Sequence, residues 1–325
     1  MKVKSISVFS GGLDSILAVK IISNLGIDVL GVSFETPFFN AKKAITASKQ
    51  IEMPLEIINI TDSYLRMLSK PRYGFGKNMN PCIDCHTMML GFAGQKMLET
   101  GADFIFTGEV LGQRPMSQSK QSLYIVAKNS GFQDYIIRPL SARLLPETKI
   151  EKECKVDRNK LYAIQGRGRQ TQFKLAKEFG IRDFAAPAGG CLLTDPMFSK
   201  RLKDLFLHDE NADIREIELL KYGRHLRLDR KTKVIIGRNK DDNEQLEQLS
   251  ESTDAMLRVK KYAGPIVLIT GDCQNETLLF AASLCVLYSD APNVGKHLVV
   301  CSARDEDTEF EVYAANKEDA GRFMI

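Results

Sequence analysis

Over the first 137 residues, short apolar runs at 6–9, 29–34, 55–60, 104–107 and 135–137 alternate with helix-period patterns. The spacing predicts helices over 14–25, 40–51, 62–69, 84–99 and 117–130. Strands and helices in strict alternation are the mark of a parallel, doubly wound α/β sheet, whose ligands bind at the carboxyl ends of the strands. From Pro139 to Gly180 the pattern turns helical and basic, and Ala185-Ala186-Pro187-Ala188-Gly189-Gly190 reads as a breaker-rich loop. That places a boundary near residue 200, between domains 1–199 and 200–325. Beyond it the runs 214–219, 224–228 and 234–236 are separated by turn-like Lys221-Tyr222-Gly223 and Asp229-Arg230-Lys231-Thr232, and read as an antiparallel meander. A helix near Asp241, capped by Asn239 or Asp241, a strand at 265–270, a helix at 276–288 and terminal runs at 298–301 and 309–313 complete a second, smaller α+β domain.

Composition narrows the class. A chain of 325 residues with 44% hydrophobic residues is long enough for two ordinary cores. It shows no export-type apolar leader and no run of about 18 apolar residues, so a cytoplasmic protein without membrane contact is expected. Seven cysteines, an odd count, read as reduced thiols, catalytic groups or metal ligands rather than a disulfide framework. Charge is uneven: 138–182 carries 12 basic and 5 acidic residues, and 221–240 carries 8 basic residues against Asp229 alone. Such stretches are either a polyanion track, for which RNA is the simplest partner, or two solvated faces. Arg167 and Arg169 in the first, and Lys221, Arg224, Arg227, Lys233 and Arg238 in the second, are the candidate RNA-binding residues.

Candidate chemistry starts at Ser10-Gly11-Gly12-Leu13-Asp14-Ser15, directly after the first apolar run. Two glycines let the backbone turn sharply and aim its N–H groups at an anion at a helix N-terminus. No Gly-Lys-Ser/Thr follows, so this is not the Walker loop. The motif resembles the PP-loop of the ATP pyrophosphatases, which split ATP between its α and β phosphates. The resemblance implies ATP over Ser10, Gly11, Gly12, Asp14 and Ser15. Asp14 is the candidate Mg²⁺ ligand, since a carboxylate beside phosphate is otherwise repulsive. Gly31 and Phe34 at the end of the second strand are candidates for the adenine pocket. Gly108, Glu109 and Arg114 after the fourth would complete the rim.

The second motif is Asn80-Pro81-Cys82-Ile83-Asp84-Cys85-His86. Its readings are a haem attachment string, a zinc site lacking a second Cys pair, two buried thiols, or a set completed by Cys191 in Pro187-Ala188-Gly189-Gly190-Cys191. Three thiolates can hold three irons of a four-iron, four-sulfur (4Fe-4S) cluster and leave the fourth open. Alternatively one cysteine carries a persulfide and another resolves it, with Cys85 stabilised by the helix it heads. Cys154, Cys273, Cys285 and Cys301 lack a partner motif and read as packing residues.

The ordered set of residues 10–15, 80–85, Thr107-Gly108-Glu109-Val110-Leu111-Gly112-Gln113-Arg114 and 187–191 resembles the PP-loop tRNA thiolases, the 2-thiouridylases and 4-thiouridine synthetases. The resemblance covers about residues 1–200 and implies a Rossmann-like PP-loop domain. It also implies a sulfurtransferase that adenylates a uridine carbonyl in RNA, tRNA above all, and displaces AMP with sulfur. Cysteine at all three of Cys82, Cys85 and Cys191 departs from the persulfide-dependent enzymes and is similar to the cluster-dependent subset. The sulfur donor is then a persulfide carrier or inorganic sulfide. Residues 221–228, 233–240 and Asn243 resemble the RNA-binding domain of the NFACT proteins. The competing expectations are a nitrogen-transferring PP-loop enzyme, of lysidine or deazaguanine type, and a non-catalytic RNA-binding protein with a vestigial ATP site.

Overall fold

A computed structural model describes residues 2–184, 190–209, 212–271, 274–304 and 306–325. Contacts divide the chain into two units, Met1–Thr194 and Asp195–Ile325. The break falls a few residues before the expected boundary.

In the first unit the chain runs β1 (Lys4–Val8), α1 (Leu13–Ser23), β2 (Asp28–Glu35), α2 (Lys42–Gln50), β3 (Leu55–Asn59), α3 (Thr61–Ser69) and α4 (Cys82–Thr100). It continues through β4 (Phe104–Thr107), α5 (Lys120–Asn129), β5 (Ile136–Ile137), α6 (Lys149–Lys152) and α7 (Gln170–Glu178). The five strands pair in the order β3-β2-β1-β4-β5, all parallel. Strand order reverses between β1 and β4, the crevice where open α/β sheets hold ligands. Helix α1 is apolar on nearly every side because it is buried on nearly every side, packing Leu13, Ile16, Leu17 and Ile22 against Phe104, Phe106 and Ile137. Burial of this kind contributes on the order of 1.5–3 kcal/mol per large side chain.

The stretch expected to be helical from 139 to 180 contains only α6, α7 and short 3₁₀ turns. Its backbone pairs elsewhere: Tyr162 and Ile164 donate to Pro139 and Leu140, and Gly166 donates to Leu111. The Ser141 hydroxyl donates to the Ile164 carbonyl at 2.7 Å and accepts from Leu111 N–H at 2.9 Å. These bonds clamp the segment to the loop after β4, which positions α7 beside the crevice.

The second unit comprises α8 (Pro196–His208), α9 (Ile214–Leu219), β6 (Arg224–Arg227), β7 (Lys233–Ile236), α10 (Lys240–Leu249), β8 (Ala255–Val259) and β9 (Val267–Thr270). It ends with α11 (Asn275–Leu287), β10 (His297–Ala303), β11 (Glu306–Val312) and α12 (Lys317–Arg322). Its sheet is antiparallel, in the order β11-β10-β8-β9-β7-β6. Ala281, Ala282 and Cys285 of α11 pack with Val234, Ile236, Leu257 and Val267. Leu219 and Leu246 pack with Ile235 and Leu268 from neighbouring positions of the same strands, so successive residues of β7 are buried in two different clusters.

Residues 214–219, expected as a strand, form α9. Asp213 accepts from Glu216 N–H at 2.8 Å while Glu216 accepts from Asp213 N–H at 3.2 Å, a capping box that starts a helix regardless of the apolar run behind it. Asn239 caps α10 as expected. No described helix is long and apolar enough to cross a membrane.

Candidate active site

A cavity of about 370 Å³ opens at the carboxyl ends of β1 and β4. Its floor is the loop into α1. Gly11 has φ +71°, and a Cβ there would stand 2.3 Å from the Lys43 carbonyl oxygen, so only glycine fits. Gly12 is the N-cap of α1 without a side-chain cap, which leaves the first-turn N–H groups for an anion. The Ser15 hydroxyl donates to the Gly12 carbonyl at 2.8 Å and holds the turn. Gly108 lets β4 approach: a Cβ there would meet Ser15 N at 2.5 Å and Asp14 C at 2.6 Å.

Ser10, Gly12, Asp14, Ser15, Phe34, Gly108, Glu109 and Arg114 all line the cavity. Gly31 does not: it lies within β2, where a Cβ would collide with Met53 Cε at 2.4 Å, so its small size serves packing. Asp14 accepts from Gln113 Nε2 at 2.8 Å, Gln113 accepts from Gln172 Nε2 at 3.2 Å, and Arg169 lies 3.6 Å from Asp14. Asp14 Oδ1 is nevertheless buried without a hydrogen-bond partner, as are Nε and Nη1 of Arg169. That oxygen has only the Arg169 guanidinium near it, at 3.6 Å and without a hydrogen bond, and a buried carboxylate oxygen left unbonded at a phosphate loop fits a Mg²⁺ ion. Arg169, expected on the RNA track, faces the floor of this cavity, with Lys43 on its wall.

The opposite wall carries sulfur. Helix α4 begins at Cys82, two residues earlier than expected, so Cys82 is its first residue and Cys85 follows about one turn on. Asn80 Nδ2 donates to Cys82 Sγ at 3.1 Å. Cys191 arrives from the far end of the unit, its turn held by Leu192 N–H donating to the Phe38 carbonyl and Asn78 Nδ2 donating to the Thr194 carbonyl. All three cysteines line the cavity. Burial, and then the nearness of Cys191, push the Cys85 thiol up, while burial raises Cys191 to about 11. Burial thus works against the thiolate that the helix N-terminus was expected to favour at Cys85. Tyr64, buried beside these thiols, is likewise raised by burial first. Among the described residues no three His, Cys, Asp or Glu side chains are grouped as metal ligands, so the cysteines share a cavity without forming a ready-made chelate. Positions 185–189 of the loop before Cys191 lie outside the described residues, as does Cys273. Cys285 and Cys301 are buried in the second unit's core as expected, whereas Cys154 is exposed and packs nothing.

Between loop and thiols stands a triad that the sequence does not reveal. Glu109 is 7% exposed; its carboxylate receives Arg138 Nε at 2.9 Å and Thr107 Oγ1 at 3.1 Å on one oxygen, and meets His86 Nδ1 at 2.9 Å on the other. Burial alone would raise this acid, but the Arg138 guanidinium and the His86 contact outweigh it and hold the carboxyl down at about 2. Glu109 thus lines the cavity as an ionised carboxylate that also anchors His86 on the same wall.

The second basic stretch is largely spent inside its own unit. Lys221 pairs with Glu218 at 2.6 Å, Arg227 with Asp204 at 2.6 Å and Arg238 with Asp242 at 2.6 Å, while the Arg224 guanidinium lies 4.9 Å from the Tyr288 ring centroid. Lys233 is 5% exposed, and burial followed by Arg227 depresses it to about 7. It cannot serve as a surface contact to a polyanion. Sequence reasoning counted these charges without seeing their partners.

Residues 1–151 match the family model described as "Thiamine biosynthesis protein (ThiI)", and residues 223–324 match "NFACT protein RNA binding domain". A tRNA-specific 2-thiouridylase MnmA of Helicobacter hepaticus is 28% identical over 163 residues, covering 44% of this chain and 47% of that protein. Another from Rippkaea orientalis is 23% identical over 235 residues, 66% of this chain and 63% of that one. A probable tRNA sulfurtransferase of Thermococcus kodakarensis is 28% identical over 146 residues, 42% and 36%. The chain therefore spans 36–63% of the length of these relatives.

Proposed function

We propose, for a chain whose N-terminal unit resembles the PP-loop tRNA thiolases and whose C-terminal unit resembles the NFACT RNA-binding domain, that it thiolates a uridine of RNA, tRNA above all, at the expense of ATP. The observation that carries this reading is one cavity with an uncapped phosphate loop on its floor and three cysteines on its wall.

In this reading the α and β phosphates lie over the N–H groups of α1, with Lys43 and Arg114 as their cations, and Asp14 would hold Mg²⁺ through the oxygen that makes no hydrogen bond. A uridine carbonyl oxygen bonds to the α phosphorus, the α–β bridge breaks, and pyrophosphate leaves. Sulfur then attacks the same carbon, and AMP departs with the oxygen. A stacked base cannot reach this floor, so the target is unstacked first. Cys82, Cys85 and Cys191 are the sulfur-delivering residues. Their thiol chemistry suits the three irons of a 4Fe-4S cluster, which would supply an open iron for a sulfide, although the present arrangement is not a chelate. The chain's own contribution is to fix the three sulfurs within reach of the adenylated carbon and to exclude water through Phe34, Tyr64 and Leu90.

Nucleoside mass spectrometry of tRNA from a deletion strain tests the activity: one thionucleoside disappears, and an unchanged set refutes the reading. Iron and acid-labile sulfide analysis after anaerobic purification decides how sulfur is carried, since a colourless, iron-free, active protein rejects the cluster.

A further inference from the structure

Helix α7 faces two ways. Its inner side sends Gln172 and Arg169 to the Gln113–Asp14 network. Its outer side carries Phe173, 49% exposed, in a stacked pair with Phe184 at 6.1 Å between centroids and 28° between planes. The Arg169 guanidinium lies 5.5 Å from the Phe173 ring centroid and also lines the cavity, so this aromatic pair stands one side chain away from the reacting floor. Around it, Arg167, Lys174, Lys177 and Arg182 are exposed, and none has an ion pair among the described residues. In the second basic stretch, by contrast, Lys221, Arg227 and Arg238 are internally neutralised and Lys233 is buried.

We propose that Phe173, backed by Phe184 and flanked by Lys174 and Lys177, is a stacking platform for a nucleobase adjoining the target uridine of the bound RNA. The proposal rests on the RNA-thiolation reading above and specifies how that substrate is held. A single exposed ring is too small for a protein interface but matched to a base, and the exposed cations around it are complementary to a nucleic-acid backbone. Lys177 lies one helical turn after Phe173 and is in turn three positions after Lys174, so one strand of RNA can stack a base on the ring and run its neighbouring phosphates past Lys177 and on to Lys174. Base stacking there also fixes where the strand leaves its helix, which is the geometry an unstacked target requires.

The full chain is titrated with unfractionated tRNA and with an RNA stem-loop carrying 2-aminopurine in its uridine-rich loop. Phe173→Leu weakens the stem-loop by about 5- to 150-fold, the range spanned by one base stacked on an aromatic ring. It also abolishes the 2-aminopurine quenching and leaves the salt dependence and ATP affinity unchanged, and Phe173→Trp restores both binding and quenching. Lys174→Gln with Lys177→Gln lowers the slope of log affinity against log salt by about one to two. Wild-type affinity and quenching in Phe173→Leu overturn the platform alone, leaving the thionucleoside result to stand. A matching loss of ATP affinity in Phe173→Leu also overturns it, by showing Phe173 to be structural. Failure of the wild-type chain to bind either RNA overturns both readings.

Discussion

Replacing Arg138 by leucine removes the guanidinium that holds Glu109 ionised in the first unit's interior. The gap between the ordinary 4.5 and the depressed value of about 2 corresponds to roughly 3 kcal/mol of native-state preference for the carboxylate. A group whose native pKa is lowered contributes its stability above its unfolded pKa and loses it as pH falls through the native one. The wild type therefore sheds this contribution between pH 4.5 and about 2. In Arg138→Leu, Glu109 keeps only His86 and Thr107 as partners, and a buried carboxylate that has lost its guanidinium costs up to about 3–5 kcal/mol at neutral pH. Its carboxyl is pushed up relative to the wild type, so the variant loses less stability as pH falls. The two stability curves, far apart at pH 7, converge toward pH 2. Urea unfolding followed by tyrosine fluorescence and far-ultraviolet circular dichroism measures this, the chain having no tryptophan to compete. The double variant Glu109→Met, Arg138→Leu is expected to lose less than Arg138→Leu alone, because no charge remains to be solvated. A variant within about 1 kcal/mol of wild type at pH 7, or a difference that stays constant into acid, refutes the reasoning.

Gly108→Ala drives a methyl into backbone atoms of Asp14 and Ser15, which cannot swing aside as a side chain could. A loop displacement approaching 1 Å lowers pyrophosphate release by about a hundredfold and lowers the melting temperature as well, and unaltered turnover would contradict the assigned floor. Cys85→Ala and Cys191→Ala each cut thionucleoside formation by at least about a hundredfold while ATP binding, read by calorimetry, stays at the wild-type value. Lys233, depressed from 10.5 to about 7, binds fewer protons folded than unfolded, so it destabilises the second unit at neutral pH and ceases to do so as pH rises toward 10.5. Lys233→Met is accordingly expected to raise stability at pH 7 by a few kcal/mol and to flatten that alkaline rise, with tRNA affinity unaffected; thermal melts across pH 7–10 check it.

What could be read from the chain was what neighbouring residues decide together. The loop of residues 10–15 was legible because glycines, the strand before and the helix after lie within a dozen positions, and the same holds for Cys82 and Cys85 on one turn. Cys191 was legible only as a cysteine beside glycines; its arrival at the same cavity depends on backbone bonds to Phe38 and from Asn78. The Glu109–His86–Arg138 triad joins β4's end, α4 and the stretch after β5, and no local pattern links three such positions. The apolar run at 214–219 favours a strand, and the Asp213–Glu216 pair that caps α9 is too short a signal to offset it. A count of charges treats strand positions alike, whereas both faces of β7 are covered and Lys233 is buried with them.

Burial of the thiols has a consequence for how the protein meets oxidants and alkylating agents. With Cys191 at about 11, only about one molecule in ten thousand carries its thiolate at pH 7, and Cys85 is further suppressed. The resting protein is therefore slow to form sulfenic acid or to react with iodoacetamide at these positions, despite holding three cysteines in one open cavity. Deprotonation of these thiols calls for positive charge brought into the cavity. In the proposed reaction, the species that supplies that charge would also set when the sulfurs react.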